Sequence, residues 1–252
     1  MYLSALVRHS IKKNYDMKLK LVLFCSLLMI FFVSCKSDRN SKQLVGTKSD
    51  EIFCDYKISA EEGYDKLTFL ARFRYRTKNG DGLKLMAPAK VQLDGEDLPV
   101  DSSGMNGYFY EIYKPIDGFN GDHSITFTDF GGQEMKQSFR FEPMVLLSEL
   151  PQTLKREDLV FELGGVDSTD DIRVLLTDTS FVGDGINKVG YTENGKLRIT
   201  AEELSKLASG PVHMELIKES DKPLNNETTA GGRLRISYTL RRSFELSDKA
   251  ED

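Results

Sequence analysis

Between Asp65 and Thr77 apolar and polar residues alternate. Leu67, Phe69, Ala71, Phe73 and Tyr75 fall on one side, and Thr68, Leu70, Arg72, Arg74 and Arg76 on the other. Successive side chains of a strand point to opposite faces, so the run reads as a long strand with one face in a core. EIFCDYKIS repeats the pattern with Ile52, Cys54, Tyr56 and Ile58 in phase. SITFT turns Ile125 and Phe127 inward, and QEMKQSFRFE turns Met135, Phe139 and Phe141 inward with Lys136, Ser138 and Arg140 outward. Phe130-Gly131-Gly132 between these two, and Asp94-Gly95 within VQLDGEDLPV, are hairpin turn signals. GYFYEIYKP adds an aromatic strand closed by Pro115. Short strands separated by turns, without a credible helix, predict a β-sandwich over residues 51–143.

The pattern restarts after Pro143, with MVLL, LVFEL, DIRVLLTD, KLRIT, PVHMELIKE and GRLRISYTLRRSFEL. In the last of these, Leu234, Ile236, Tyr238, Leu240, Phe244 and Leu246 share a phase that Arg242 interrupts, which predicts a bend or bulge. Thr200-Ala-Glu-Glu203 reads as a capping box opening a short helix to about Ala208, with Leu204 and Leu207 on its apolar side. A second sandwich with one short helix is therefore expected over 144–247, followed by a tail at 248–252. The fold class is all-β, two immunoglobulin-like sandwiches in tandem. That name rests on resemblance: Val91 onward (VQLDGEDLPV), GYFYEIYKP and GDHSITFTDFGG are similar to immunoglobulin-like domains of bacterial surface proteins, although the Cys…Trp…Cys mark of antibody domains is absent.

The front of the chain is of a different kind. Met17, Lys18 and Lys20 precede the apolar run Leu21 to Ser34, which is shorter than the roughly 20 residues a membrane-spanning helix needs and has the layout of an export signal. Residues 1–34 are read as a leader, in which either Met1 or Met17 is the start. Phe32-Val33-Ser34-Cys35 resembles the lipobox of bacterial lipoproteins, with Phe32 where Leu is commonest. The resemblance implies cleavage after Ser34 and acylation of Cys35. Two or more acyl chains hold a protein stably on a bilayer where one does not. Residues 35–50 (CKSDRNSKQLVGTKSD) are too polar to bury a core and are expected to form a flexible tether. KLRITAEELSKLASGPVHMELIKES also resembles an element recurrent in lipoproteins of Bacteroidota. Together these imply a bacterial outer-membrane location, facing either the periplasm or the surface.

Charge and composition narrow the chemistry. The chain carries formal net charge −5, and losing residues 1–34 removes five basic side chains and one acidic, leaving −9. An acidic protein is a poor nucleic-acid ligand and does not adsorb to anionic lipid, so the acyl anchor is the expected membrane contact. Three Cys exclude a disulfide-rich scaffold, and Cys54, in phase with core residues, reads as a buried apolar side chain rather than a reactive thiol. GxSxG is missing, and outside the leader the histidines are His123, beside Asp122, and His213, on the polar face with Glu215. Neither has the partners of a catalytic base. Asp94, Glu96 and Asp97, and Asp167, Asp170 and Asp171, are acidic clusters that lack the calcium-loop template. No catalytic residue, cofactor or metal is expected. The dense aromatic group Tyr108, Tyr110 and Tyr113 is the candidate ligand face; alternation sends Tyr108 and Tyr110 to one side and Tyr113 to the other, and one side must be core, so at most a pair is free for a ligand, while Arg72, Arg74 and Arg76 form a charged outer stripe. The expected function is a lipid-anchored envelope protein presenting two sandwiches to a protein or glycan. The alternative is an accessory glycan-binding lipoprotein of a polysaccharide-uptake system.

Overall fold

The computed structural model describes residues 49–104, 107–167, 170–180, 185–190, 192–225 and 228–248. The leader, the lipobox, Cys35 and residues 36–48 of the expected tether lie outside them. Ser49–Glu51, assigned in part to that tether, instead form a 3-10 turn held to the domain. The Ser49 hydroxyl donates to Asp129, and the Ala230 N–H donates to the Asp50 carbonyl at 2.9 Å. Among the described residues no helix is long and apolar enough to cross a membrane.

The alternation becomes strands where it was expected. Strands β1 (Ile52–Glu61) and β2 (Lys66–Tyr75) pair antiparallel and send Ile52, Cys54, Tyr56, Ile58, Leu67, Phe69, Ala71 and Phe73 into the core. β3 (Lys90–Leu93), β4 (Glu96–Asp97), β7 (Gly121–Thr128) and β8 (Glu134–Phe141) form a four-stranded sheet in the order β4-β3-β7-β8. It packs on the first layer through Phe73 and Phe127, whose ring centroids are 4.7 Å apart. The β7–β8 hairpin is fixed by Asp129, whose Oδ1 accepts the N–H groups of Gly131 and Gln133. β5 (Val100–Ser103) and β6 (Gly107–Pro115) continue the first layer beyond β2.

The rest of the chain builds the second sandwich. β9 (Val145–Leu146), β11 (Leu159–Gly164) and β14 (Lys196–Ile199) form a small sheet in the order β14-β11-β9. The helix α1 is shorter than expected, Ala201–Leu204. Its capping box is present: the Glu203 N–H donates to Thr200 Oγ1 at 3.2 Å, and the Thr200 N–H donates to Glu203 Oε2 at 2.8 Å. After one turn Leu204 and Leu207 are already buried, and the chain leaves to start the next strand.

The two sandwiches are fused through one long sheet. β15 (Gly210–Pro223) and β16 (Gly232–Ser247) pair along their whole length, and the sheet runs β13-β12-β15-β16-β1-β2-β6-β5, where β12 is Asp171–Asp178 and β13 is Ile186–Gly190. β16 lies parallel to β1 from Gly232 to Thr239, and parallel to β10 (Thr153–Lys155) from Glu245 to Ser247. β16 therefore joins the sheet to β1 and β2, and the described residues make one compact unit. The buried side chains of both layers form a single contiguous core.

No bulge occurs at Arg242, because the β15–β16 register runs through it without a slip. Arg242 instead marks the place where β16 changes neighbour from β1 to β10. Its inward guanidinium is taken up by Glu62, just beyond the end of β1, while Arg241 pairs with Glu61 and Glu215. A cation in an inward phase is stable there because both oxygens of the Glu62 carboxylate, just past the departing strand, meet it.

Candidate functional site

The edge strand β8 lies over β15 and β16 without pairing to them, and a cleft of about 390 Å³ opens between the layers. Its floor is apolar. Phe139, Phe141, Leu234 and Tyr238 are buried, with the rings of Phe141 and Tyr238 6.3 Å apart. Its rim is polar, carrying Arg140, Glu142, Asp167, Asp170 and Lys222. An apolar floor with a few convergent polar groups, at this volume, is the usual form of a binding site.

Lys218 is the distinctive group of the cleft. It follows Val212, Met214 and Leu216 in the inward phase of β15, so the strand carries its stem between the layers. Its Nζ donates to the carbonyls of Glu142 at 2.7 Å and Gly165 at 2.6 Å. An ammonium has three donors, so one remains for an incoming acceptor. Burial lowers the Lys218 pKa below the ordinary lysine range, and the charges of Asp170, Glu142 and Asp167 partly oppose this. Gly165 is required here: its φ is +68°, and a Cβ would meet the Pro143 carbonyl oxygen at 2.0 Å. Only glycine lets the chain leaving β11 bring its carbonyl under the amine.

The three tyrosines of the expected ligand face do not converge. Tyr110 is buried edge-on to Phe73, and its hydroxyl accepts the Leu85 N–H at 2.6 Å, which makes it a core residue and removes it from that face. Tyr108 shares its side of β6 and lies under the Lys84 ammonium, 5.3 Å from the ring centroid. Tyr113 stands exposed on the opposite side and donates to Glu111 at 2.8 Å. Strand alternation separates them, and none lines the cleft.

The remaining candidates have structural work. The aspartate that meets His123 is not its neighbour Asp122 but Asp94: Nδ1 is 2.7 Å from Asp94 Oδ2 and Nε2 is 2.9 Å from the Phe119 carbonyl oxygen. The ring stacks on Phe119 at 3.7 Å. Asp94 also accepts the Ser124 N–H, so the pair ties the β3–β4 turn to β7. His213 is exposed on β15 and bonds Ser243 at 3.0 Å. Glu96 and Asp97 pair with Lys114 and Lys90. Asp170 accepts the Asp167 N–H at 3.0 Å, closing a turn. Among the described residues no three His, Cys, Asp or Glu side chains converge as metal ligands do. Cys54 is buried, and desolvation pushes its thiol up to about 12, against a smaller opposing effect of the Tyr56 hydroxyl. Reasoning from sequence overlooked Lys218, although a lysine in the phase of Val212, Met214 and Leu216 was the available signal.

No family model and no curated protein matches the sequence. Among solved structures, the chain is similar to murine CEACAM1b at 12% identity, covering 78% of this chain and 99% of that one, with a TM-score of 0.21. It is also similar to the Bacteroides ovatus mixed-linkage glucan utilization locus protein SGBP-B, solved with a mixed-linkage heptasaccharide, at 11% identity, 75% and 61% coverage and a TM-score of 0.20. A third similarity is to the Yersinia pseudotuberculosis adhesin InvE, at 12% identity, 77% and 59% coverage and a TM-score of 0.22.

Proposed function

We propose that this chain is a non-catalytic envelope protein, fastened to the outer membrane by acyl chains on Cys35, which holds its fused sandwiches away from the bilayer and binds another macromolecule in the β8/β15–β16 cleft. The single observation that carries the binding role is the cleft itself. An apolar floor lies beneath a lysine with one uncommitted donor, and Asp167 and Asp170 stand at the rim. The anchor rests on the lipobox-like Phe32-Val33-Ser34-Cys35, and the stand-off on a tether that can stretch to roughly 50 Å.

Two measurements test the two halves. Metabolic labelling with a clickable palmitate analogue marks the parent and not Cys35→Ser. An unlabelled parent overturns the anchor. A photo-crosslinking residue introduced at Ser220, in the cleft, captures a partner in cells and loses it on Lys218→Met, while the same residue at His213 captures none. Equal capture at both positions, or capture indifferent to Lys218, overturns the site. Retardation of the protein in gels cast with neutral polysaccharides, abolished by Ser138→Trp, assigns the cleft to a glycan.

A further inference from the structure

The outward face of the long sheet carries a second feature, separate from the cleft. Arg72 and Arg74 on β2 flank Asp55 on β1, and Arg233 and Arg235 on β16 flank it from the other side; Asp55 stands opposite Arg72 in one register and opposite Arg233 in the other. Strands in a sheet are about 4.8 Å apart and same-face residues about 7 Å along each; Arg74 stands level with Phe53, Arg72 and Arg233 with Asp55, and Arg235 with Lys57, so the four arginines spread over an area of about 10 by 14 Å. Lys57 adds a fifth cation opposite Arg235.

One carboxylate cannot satisfy this group. Asp55, 8% exposed in its side chain, accepts from Arg233 Nε at 3.0 Å and from Arg235 Nη2 at 3.2 Å. Asp221 reaches only Arg233, at 3.7 Å. Arg74 donates to the Gly80 carbonyl at 3.3 Å. Arg72 forms no hydrogen bond or ion pair with any described residue, and the Nε atoms of Arg72, Arg74 and Arg235 are buried without a partner. Burial lowers the Arg72 pKa from the ordinary range; Arg74 and Arg235 add to this, while Asp55 and, more weakly, Glu111 on β6 offset it. A protein of net charge −5 thus concentrates half-buried cations with unmet donors on one flat surface.

We propose that the Arg72/Arg74/Arg233/Arg235 face docks an acidic protein segment, whose Asp and Glu carboxylates take the guanidinium donors that Asp55 leaves open. Charge complementarity selects an anion. The choice of arginine over lysine at four of five positions selects a planar, bidentate carboxylate, since a point charge would serve a diffuse polyanion equally well. The patch is flat and bordered by the half-buried Phe53, and arginine with aromatic neighbours is the composition enriched where protein meets protein. Asp55 pre-orients two of the four side chains, so less conformational freedom is lost when the segment arrives.

The full-length chain in zwitterionic detergent is titrated with poly-L-glutamate, polygalacturonate and inorganic sulfate, and binding is read from the arginine Nε–Hε resonances and by calorimetry. Poly-L-glutamate is expected to bind saturably, to shift the resonances of Arg72, Arg74 and Arg235, and to weaken as salt rises. Arg72→Gln should reduce its affinity about tenfold, the worth of one charge-assisted contact. Arg72 bonds to none of the described residues, so this variant keeps the fold. Arg198→Gln, on the small β14-β11-β9 sheet and outside both sites, should leave affinity unchanged. Absence of saturable binding, unshifted Nε–Hε signals, or equal weakening by Arg198→Gln overturns the proposal. Tighter binding of polygalacturonate, or of sulfate alone, overturns the choice of a protein segment. Because the cleft is tested through Ser220 and Lys218, either site can fail without the other.

Discussion

The arginine face makes a sharp demand on stability, tested by Asp55→Asn. The substitution keeps the side-chain shape and one acceptor but removes the charge that Arg233 and Arg235 share. Breaking a fully buried pair costs about 3–5 kcal/mol, and an exposed pair is worth about 0–1 kcal/mol. Here the carboxylate is 8% exposed and the two guanidiniums 31% and 33%, so the site lies nearer the buried limit without reaching it. A loss of about 3 kcal/mol is expected, equivalent to a fall in Tm of roughly 6–12 °C for a domain of this size. The assay is urea unfolding, because guanidinium chloride would itself screen the repulsion. The deficit should shrink between about 20 mM and about 500 mM NaCl, as the Debye length contracts below the spacing of the arginines. A variant within about 0.5 kcal/mol of the parent at low salt would refute the reasoning. So would a deficit indifferent to salt, since four crowded cations cannot lose their counter-charge without electrostatic consequence.

Other outcomes follow from packing and protonation. Phe73 meets Tyr56, Tyr110 and Phe127, so Phe73→Ala should cost about 3–5 kcal/mol in the same unfolding assay. Cys54, with its thiol pushed up to about 12, should resist iodoacetamide at about pH 8 until urea exposes it, as read by peptide mass. Lys218 binds a proton less readily folded than unfolded, so its contribution to stability rises with pH as the solution approaches 10.5 from below. As the pH rises towards 10.5 the parent should gain stability relative to Lys218→Met in the same unfolding assay, and parallel profiles would contradict the burial of the amine.

What could be read from the sequence was local. The period-two runs around Phe69, Ile125 and Phe139, the Gly131-Gly132 hairpin and the Thr200/Glu203 capping box each depend on residues a few positions apart. They appear in the structure with the expected faces. The parallel pairing of β1 with β16 joins Cys54 to Gly232, and no spacing rule announces it. Arg242 illustrates the difference: its odd place in an apolar phase was visible, but its meaning depended on Glu62, just past the end of β1 and far away in the chain. The arginine face was half legible, as Arg72 and Arg74 in an outward stripe. Arg76 departs from that stripe to pair with Glu51, and Arg233 and Arg235 join it only through the fold. Tyr110 marks the limit of alternation, which gives two faces without saying which is core. The partner that decided the matter, the Leu85 N–H, comes from an irregular segment.

The pairing of β1 with β16 also sets the order in which the molecule can be made. β1 leaves the ribosome long before its parallel neighbour β16, so the contacts between them have very high sequence separation. Proteins rich in such contacts fold slowly, and a nascent chain holding β1 and β2 alone has an open edge for the whole of its synthesis. A truncation before Gly232 therefore leaves not one sandwich intact and one damaged, but both unfinished.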